Sequence, residues 1–138
     1  MTTSHKEDLL PDTNRDLLDE VVIAHLATVR PDGSLQSNPV WFEWDGTHIK
    51  ISQTKARQKM RNVDHDPHVA LSMTDPDNPY RYLEIRGVVD NTEDDPDRSF
   101  IDHLSERYLH QRPYPHHQPG DERVVVYIRP TDSSAMAA

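Results

Sequence analysis

The residues best placed to do chemistry in this chain are five cations in one short stretch. Lys50, Lys55, Arg57, Lys59 and Arg61 lie within residues 46–63, a window with no acidic residue, while the other ten basic residues share the rest of the chain with all 24 acidic ones. Concentrated positive charge in an acidic protein has two readings. It is either an anion site, for which a phosphate group is the best-matched ligand, or the solvated basic face of a helix. The window holds a short alternating run, Thr47, Ile49 and Ile51, then Thr54 as a candidate N-cap and Ala56, Met60 and Val63 at helical spacing. A strand passing into a helix there would set unpaired backbone N–H groups and the positive end of the helix dipole beside those side chains.

The composition as a whole narrows the partners. A net charge of −9 argues against a general nucleic-acid or anionic-membrane binder, because neutralising many phosphates needs positive charge spread over a face. The chain has no cysteine, which excludes disulfides, thiolate metal sites and a cysteine nucleophile. No apolar run approaches the length of a membrane span, and residues 1–8 lack a signal-peptide core, so a cytoplasmic protein is expected. At 138 residues and 34% hydrophobic content, one domain with a modest core is expected. A second copy or a bound cofactor would supply the apolar contact such a core lacks.

Periodicity and turn chemistry give the elements that must position the basic stretch. Residues 1–11 read as a tail, 12–130 as the domain and 131–138 as a second tail. A short amphipathic helix is expected around Leu9, Leu10, Leu17, Leu18 and Val21, capped by Asp12 or Thr13. Strands over 21–30, 35–44 and 47–52, parted by Pro31-Asp32-Gly33 and Asp45-Gly46, form a meander. Pro39 inside the second of these requires an edge, a bulge or an interrupted ladder. The basic helix stops at Asp64-His65-Asp66-Pro67. Strands follow over 69–74 and 80–89, with Gly87 marking a bulge or a close backbone approach. Ile101, Leu104 and Tyr108 predict a helix over 97–109. The loop 110–120, with three prolines and three histidines, reads as solvated rather than as a metal site. A last strand over 123–129 is closed by Pro130, and 133–138 frays. Successive hairpins with few helices define a mainly β protein, an antiparallel barrel or strongly curled sheet with small peripheral helices. No Gly-rich nucleotide loop, catalytic triad or zinc spacing is present.

Ala24-His25-Leu26-Ala27-Thr28-Val29-Arg30-Pro31-Asp32-Gly33 resembles the opening strand and turn of pyridoxamine phosphate oxidase-like split β-barrels, and Ser37-Asn38-Pro39-Val40-Trp41-Phe42 looks like their next strand. Residues 55–71, from Lys55-Ala56-Arg57 through Val69-Ala70-Leu71, are similar to the segment that marks the branch using the deazaflavin coenzyme F420. Tyr82-Leu83-Glu84-Ile85-Arg86-Gly87 and Arg123-Val124-Val125-Val126-Tyr127-Ile128-Arg129-Pro130 also fit. The resemblance covers 12–130, and the order and spacing of the motifs carry it.

The resemblance implies an antiparallel split β-barrel, FMN-binding-protein-like and homodimeric, with two cofactor sites between the subunits. On that analogy Lys55, Arg57 and Lys59, with backbone from Ser52, Gln53, Thr54, Lys55 and Ala56, hold the coenzyme phosphate. Asn38, Pro39, Val40 and Trp41 lie along the tricyclic ring, with Asn38 donating to its polar edge. Tyr80 reaches over from the other subunit as an aromatic wall. Arg57 and Arg61 share a helix face from which Lys59 diverges, so either the first turn is irregular or Arg61 serves another role, such as gripping an anionic tail. The implied activity is hydride transfer from reduced F420 to an unsaturated small organic acceptor. An FMN-dependent oxidase or reductase, or a non-catalytic cofactor- or tetrapyrrole-binding protein, are the alternatives on the same fold. Clustered Lys and Arg fit the longer anionic tail of the deazaflavin better than a lone phosphate. No residue is nominated as catalytic; Tyr80, Tyr82, His48 or solvent could donate a proton.

Overall fold

The computed structural model describes residues 9–136. A 3-10 turn at Arg15–Leu18 precedes seven strands and two helices. They are β1 (Ala24–Val29), β2 (Leu35–Val40), β3 (Glu43–Trp44), β4 (Ile49–Thr54), α1 (Gln58–His65), β5 (His68–Asp75), β6 (Asn78–Asp94), α2 (Ser99–Leu109) and β7 (Arg123–Met136). All strand pairings are antiparallel, in one sheet ordered β2-β1-β5-β6-β7-β4-β3.

The connection between the two edge strands forces the sheet to curl. β2 and β3 are separated in sequence by Trp41 and Phe42 alone. That link reaches at most roughly 11 Å, whereas a flat sheet would hold its first and seventh strands roughly 29 Å apart. The edges must therefore meet, giving a barrel with a seam at Trp41-Phe42. Phe42 enters the interior and is fully buried, beside Leu26, Ile49, Leu71, Leu83 and Ile128. Pro39 sits in an edge strand, as its missing N–H requires.

Two strands run further than their alternating pattern predicts. β6 has 17 residues and β7 has 14, so the chain neither stops at Pro130 nor frays at Ser133. Past Pro130 the ladder resumes after a register shift, pairing Ser133 with Ile85 and Ala135 with Leu83. A bulge absorbs the proline that a regular ladder would reject. Gly87 lies at this shift, where a Cβ would come within 2.6 Å of the Arg129 carbonyl oxygen. The N-terminal helix shrinks to a 3-10 turn that buries Leu17 and Leu18. Beside it, buried Asn14 donates to the carbonyls of Tyr82 and Met136, both at 2.8 Å.

Helix α2 is fixed at both ends over the seam. The buried Asp95 carboxylate accepts from Ser99 Oγ at 3.2 Å and from the Phe100 amide at 3.1 Å. At the far end the Tyr108 hydroxyl donates to the Val22 carbonyl at 2.7 Å and accepts from the Phe42 amide at 3.2 Å. Burial pushes the Tyr108 phenol above its ordinary pKa, so it stays a neutral donor. Tyr108→Phe strands both backbone groups and should cost about 1–3 kcal/mol. A lower urea midpoint with an unchanged m-value would report that loss.

Candidate functional site

The basic stretch begins at the end of β4. That strand stays paired with β7 through Thr54 and Arg123, so the chain cannot become helical until the ladder ends. A turn follows, closed by the Arg57 amide donating to the Thr54 carbonyl at 3.1 Å. Arg57, with extended backbone and no side-chain cap, occupies the N-cap position expected of Thr54. Thr54 is instead a buried strand residue. The helical stripe is accordingly shorter than its spacing predicts: Met60 and Val63 are buried while Ala56 is exposed.

A cavity of about 370 Å³ opens between the seam, β4, the start of α1 and the underside of α2. Pro39, Val40 and Trp41 form one wall, and Ser52, Gln53 and Thr54 a second. Arg57 and Lys59 enter from the α1 side, Arg123 from β7, and Ile101 and Leu104 from α2. Trp41 is held by a parallel stack on Tyr108, with ring centroids 5.2 Å apart, and by an edge contact with Tyr114 at 5.9 Å. The Arg123 guanidinium lies over the Tyr114 ring, 5.0 Å from its centroid.

Of the residues singled out from sequence, Pro39, Val40, Trp41, Ser52, Gln53, Thr54, Arg57 and Lys59 share this cavity. Asn38, Lys55, Ala56, Arg61 and Tyr80 do not line it. Asn38 Oδ1 accepts from Gln36 Nε2 at 2.7 Å. Lys55 points away, to Asp94 at 3.1 Å and Glu122 at 3.9 Å. Arg61 turns back on its own chain, donating to the Ala56 carbonyl at 2.7 Å and to Gln58 Oε1 at 2.6 Å. Those two bonds brace the turn that presents Arg57. Tyr80 is 72% exposed at the start of β6. Tyr82 and His48 lie outside the lining as well, with His48 Nε2 3.0 Å from the Asp90 carboxylate.

Five lining residues, Ile23, Ile101, Leu104, Tyr114 and Arg123, were not among the site residues read from the sequence, and the last two are polar or aromatic partners of the cavity. Tyr114 comes from the Pro-rich loop expected to be solvated, yet it is half-buried against Trp41 and Arg123. Arg123 looked like the first residue of a buried strand, and only its pairing with Thr54 brings it to the basic stretch.

Burial, and then the charges of Arg57 and Arg123, draw the Lys59 ammonium below its ordinary pKa. Its unfolded form therefore binds more protons at alkaline pH. Stability should rise as pH climbs from the depressed value toward the free-lysine value of about 10.4. Anion binding has the opposite sign, because it needs the protonated form. The dissociation constant for inorganic pyrophosphate should rise over the same window, and Lys59→Gln should flatten that dependence in a calorimetric pH series.

Residues 10–136 match the family model described as pyridoxamine 5'-phosphate oxidase, and the chain belongs to that family. Among solved structures, one named F420 reductase is 45% identical, covering 91% of this chain and 98% of its own, with a TM-score of 0.84. This relative places the chain in the F420 reductase branch of the family. A conserved hypothetical protein from Mycobacterium tuberculosis (23% identical, 97% of this chain and 89% of its own, TM-score 0.71) has the same fold. So does General Stress Protein 26 from Bacillus anthracis (17% identical, 91% and 92%, TM-score 0.67). Comparison with curated proteins finds no match. Among the described residues, no helix is long and apolar enough to cross a membrane.

Proposed function

We propose that this protein is a coenzyme F420-dependent reductase that passes a hydride from the reduced deazaflavin to an unsaturated small organic acceptor, acting as a homodimer. The observation that carries this reading is the pairing of Arg57 and Lys59, which make no ion pair with any described residue, with an aromatic wall at Trp41 in one cavity. A charged end and a flat apolar end are what an anionic tail and a tricyclic ring demand. The 45% identity to a structure named F420 reductase supports the choice of deazaflavin over FMN.

The coenzyme supplies the hydride chemistry when bound. The chain's work is binding, orientation and exclusion of water. Arg57 and Lys59 offer charge-assisted hydrogen bonds to phosphate, and Ser52 and Thr54 add neutral partners beside them. Pro39, Val40 and Trp41 offer the ring a flat surface. The Tyr108 stack and the Tyr108 hydrogen bonds hold that surface rigid before any ligand arrives. Ile101 and Leu104 keep water off the opposite side. The exposed apolar side chains Val21 and Ile23, the latter on the cavity lining, are surface that a second copy would cover.

Reduced F420 mixed with the protein and a panel of enones, quinones and bilins tests the activity. Acceptor-dependent return of the oxidised coenzyme's absorbance is the expected result. Tight binding with no oxidation under any acceptor would replace the reductase with a cofactor-storage protein.

A further inference from the structure

Arg123 reaches the cavity from outside the basic stretch, and its setting is not that of an ordinary strand residue. Its guanidinium lies over Tyr114, its Nη1 is 3.4 Å from Ser52 Oγ, and its Nε is buried with no hydrogen-bond partner. Tyr114 is itself anchored, its amide donating to Asp102 Oδ1 at 2.8 Å. The aromatic face thus holds the guanidinium in place through a cation–π contact while leaving donors unused.

Pairing varies among the other described cations: Arg30, Lys50, Arg61, Arg98 and Arg107, none of them on the cavity lining, make no ion pair either, while others are matched. Arg81 pairs with Asp16 and Asp75, Arg112 with Glu106, and Lys55 with Asp94 and Glu122. Although the chain carries 24 acidic residues, no described carboxylate forms an ion pair with Arg57, Lys59 or Arg123. Three like charges around one cavity repel one another, and no described carboxylate is ion-paired with them to offset that repulsion. A local arrangement that opposes stability marks a place kept for a ligand.

We propose that Arg123 is an anion ligand of the cavity, and that with Arg57 and Lys59 it selects ligands carrying at least two negative charges. A phosphate monoester, a diphosphate, or a phosphodiester with a neighbouring carboxylate all fit this class. A singly charged anion leaves two of the three cations unmatched. The inference deepens the coenzyme reading at the same site, but the charge class follows from the cations alone.

Inorganic pyrophosphate is the probe, titrated calorimetrically into the full chain and into Arg123→Gln, with Tm measured on the empty proteins. Affinity should fall about tenfold or more in the variant, while the empty protein's Tm holds or rises as repulsion is relieved. Unchanged pyrophosphate affinity overturns the proposal, as does failure of the unsubstituted protein to bind the probe. If affinity and Tm fall together, Arg123→Lys decides: recovered affinity supports a charge role, and no recovery shows a structural one. A protein that binds pyrophosphate through Arg123 but does not bind F420 keeps this inference and removes the coenzyme reading. One that binds F420 equally well with and without Arg123 loses this inference alone.

Discussion

Replacing Arg57 and Lys59 together by glutamate should lower the affinity for coenzyme F420 by about 100-fold or more and leave the barrel folded. A hydrogen bond to a charged group contributes about 1.5–3 kcal/mol. Losing two therefore costs roughly 3–6 kcal/mol, or about two to four decades of affinity. Reversed charges add repulsion to that loss. The fold tolerates the change because neither side chain belongs to the core and neither is ion-paired among the described residues. Equilibrium binding followed by coenzyme fluorescence measures the effect, and circular dichroism checks the fold. Lys55→Glu is the internal control. That lysine already faces Asp94 and Glu122 away from the cavity, so its loss should change affinity by less than about threefold.

The largest effect on stability is expected one residue from the cavity wall. Phe42→Ala empties a fully buried position where the two edges of the sheet meet. Truncating a buried phenylalanine costs about 3–5 kcal/mol, a large share of the roughly 5–15 kcal/mol that holds a domain together. Urea unfolding should show the midpoint displaced far downward. Trp41, its neighbour, faces the cavity and stacks on Tyr108. Trp41→Leu should therefore leave most of the stability in place while removing the flat surface offered to the ring. Two adjacent aromatic residues thus divide the work, one closing the barrel and the other furnishing its site.

Local signals made the architecture readable. Pro31-Asp32-Gly33 and Asp45-Gly46 announced hairpins. Pro39 called for an edge, a bulge or an interrupted ladder and lies on an edge strand, and Gly87, read as a bulge or a close backbone approach, lies at a register shift of the β6–β7 pairing. Strand lengths were not readable, because Pro130 looks like a stop until the ladder is seen to resume beyond it, after a register shift that leaves Thr131 of β7 unpaired. The cations were legible as a cluster, but their directions were not. Whether Lys55 or Lys59 enters the cavity depends on where β4 ends, and that depends on the Thr54–Arg123 pairing, which no local pattern encodes. Tyr114 was hidden for a related reason. Its burial comes from contacts with Trp41 and Arg123, distant in sequence, while its own neighbours are all signatures of a solvated loop.

A competitive titration tests the central claim most directly: oxidised F420 and FMN are each added to the purified chain, and ring fluorescence is followed to saturation. The account predicts saturable F420 binding that is tighter than FMN binding and is displaced by inorganic pyrophosphate. FMN binding more tightly than F420, or F420 binding that pyrophosphate leaves untouched, would contradict it.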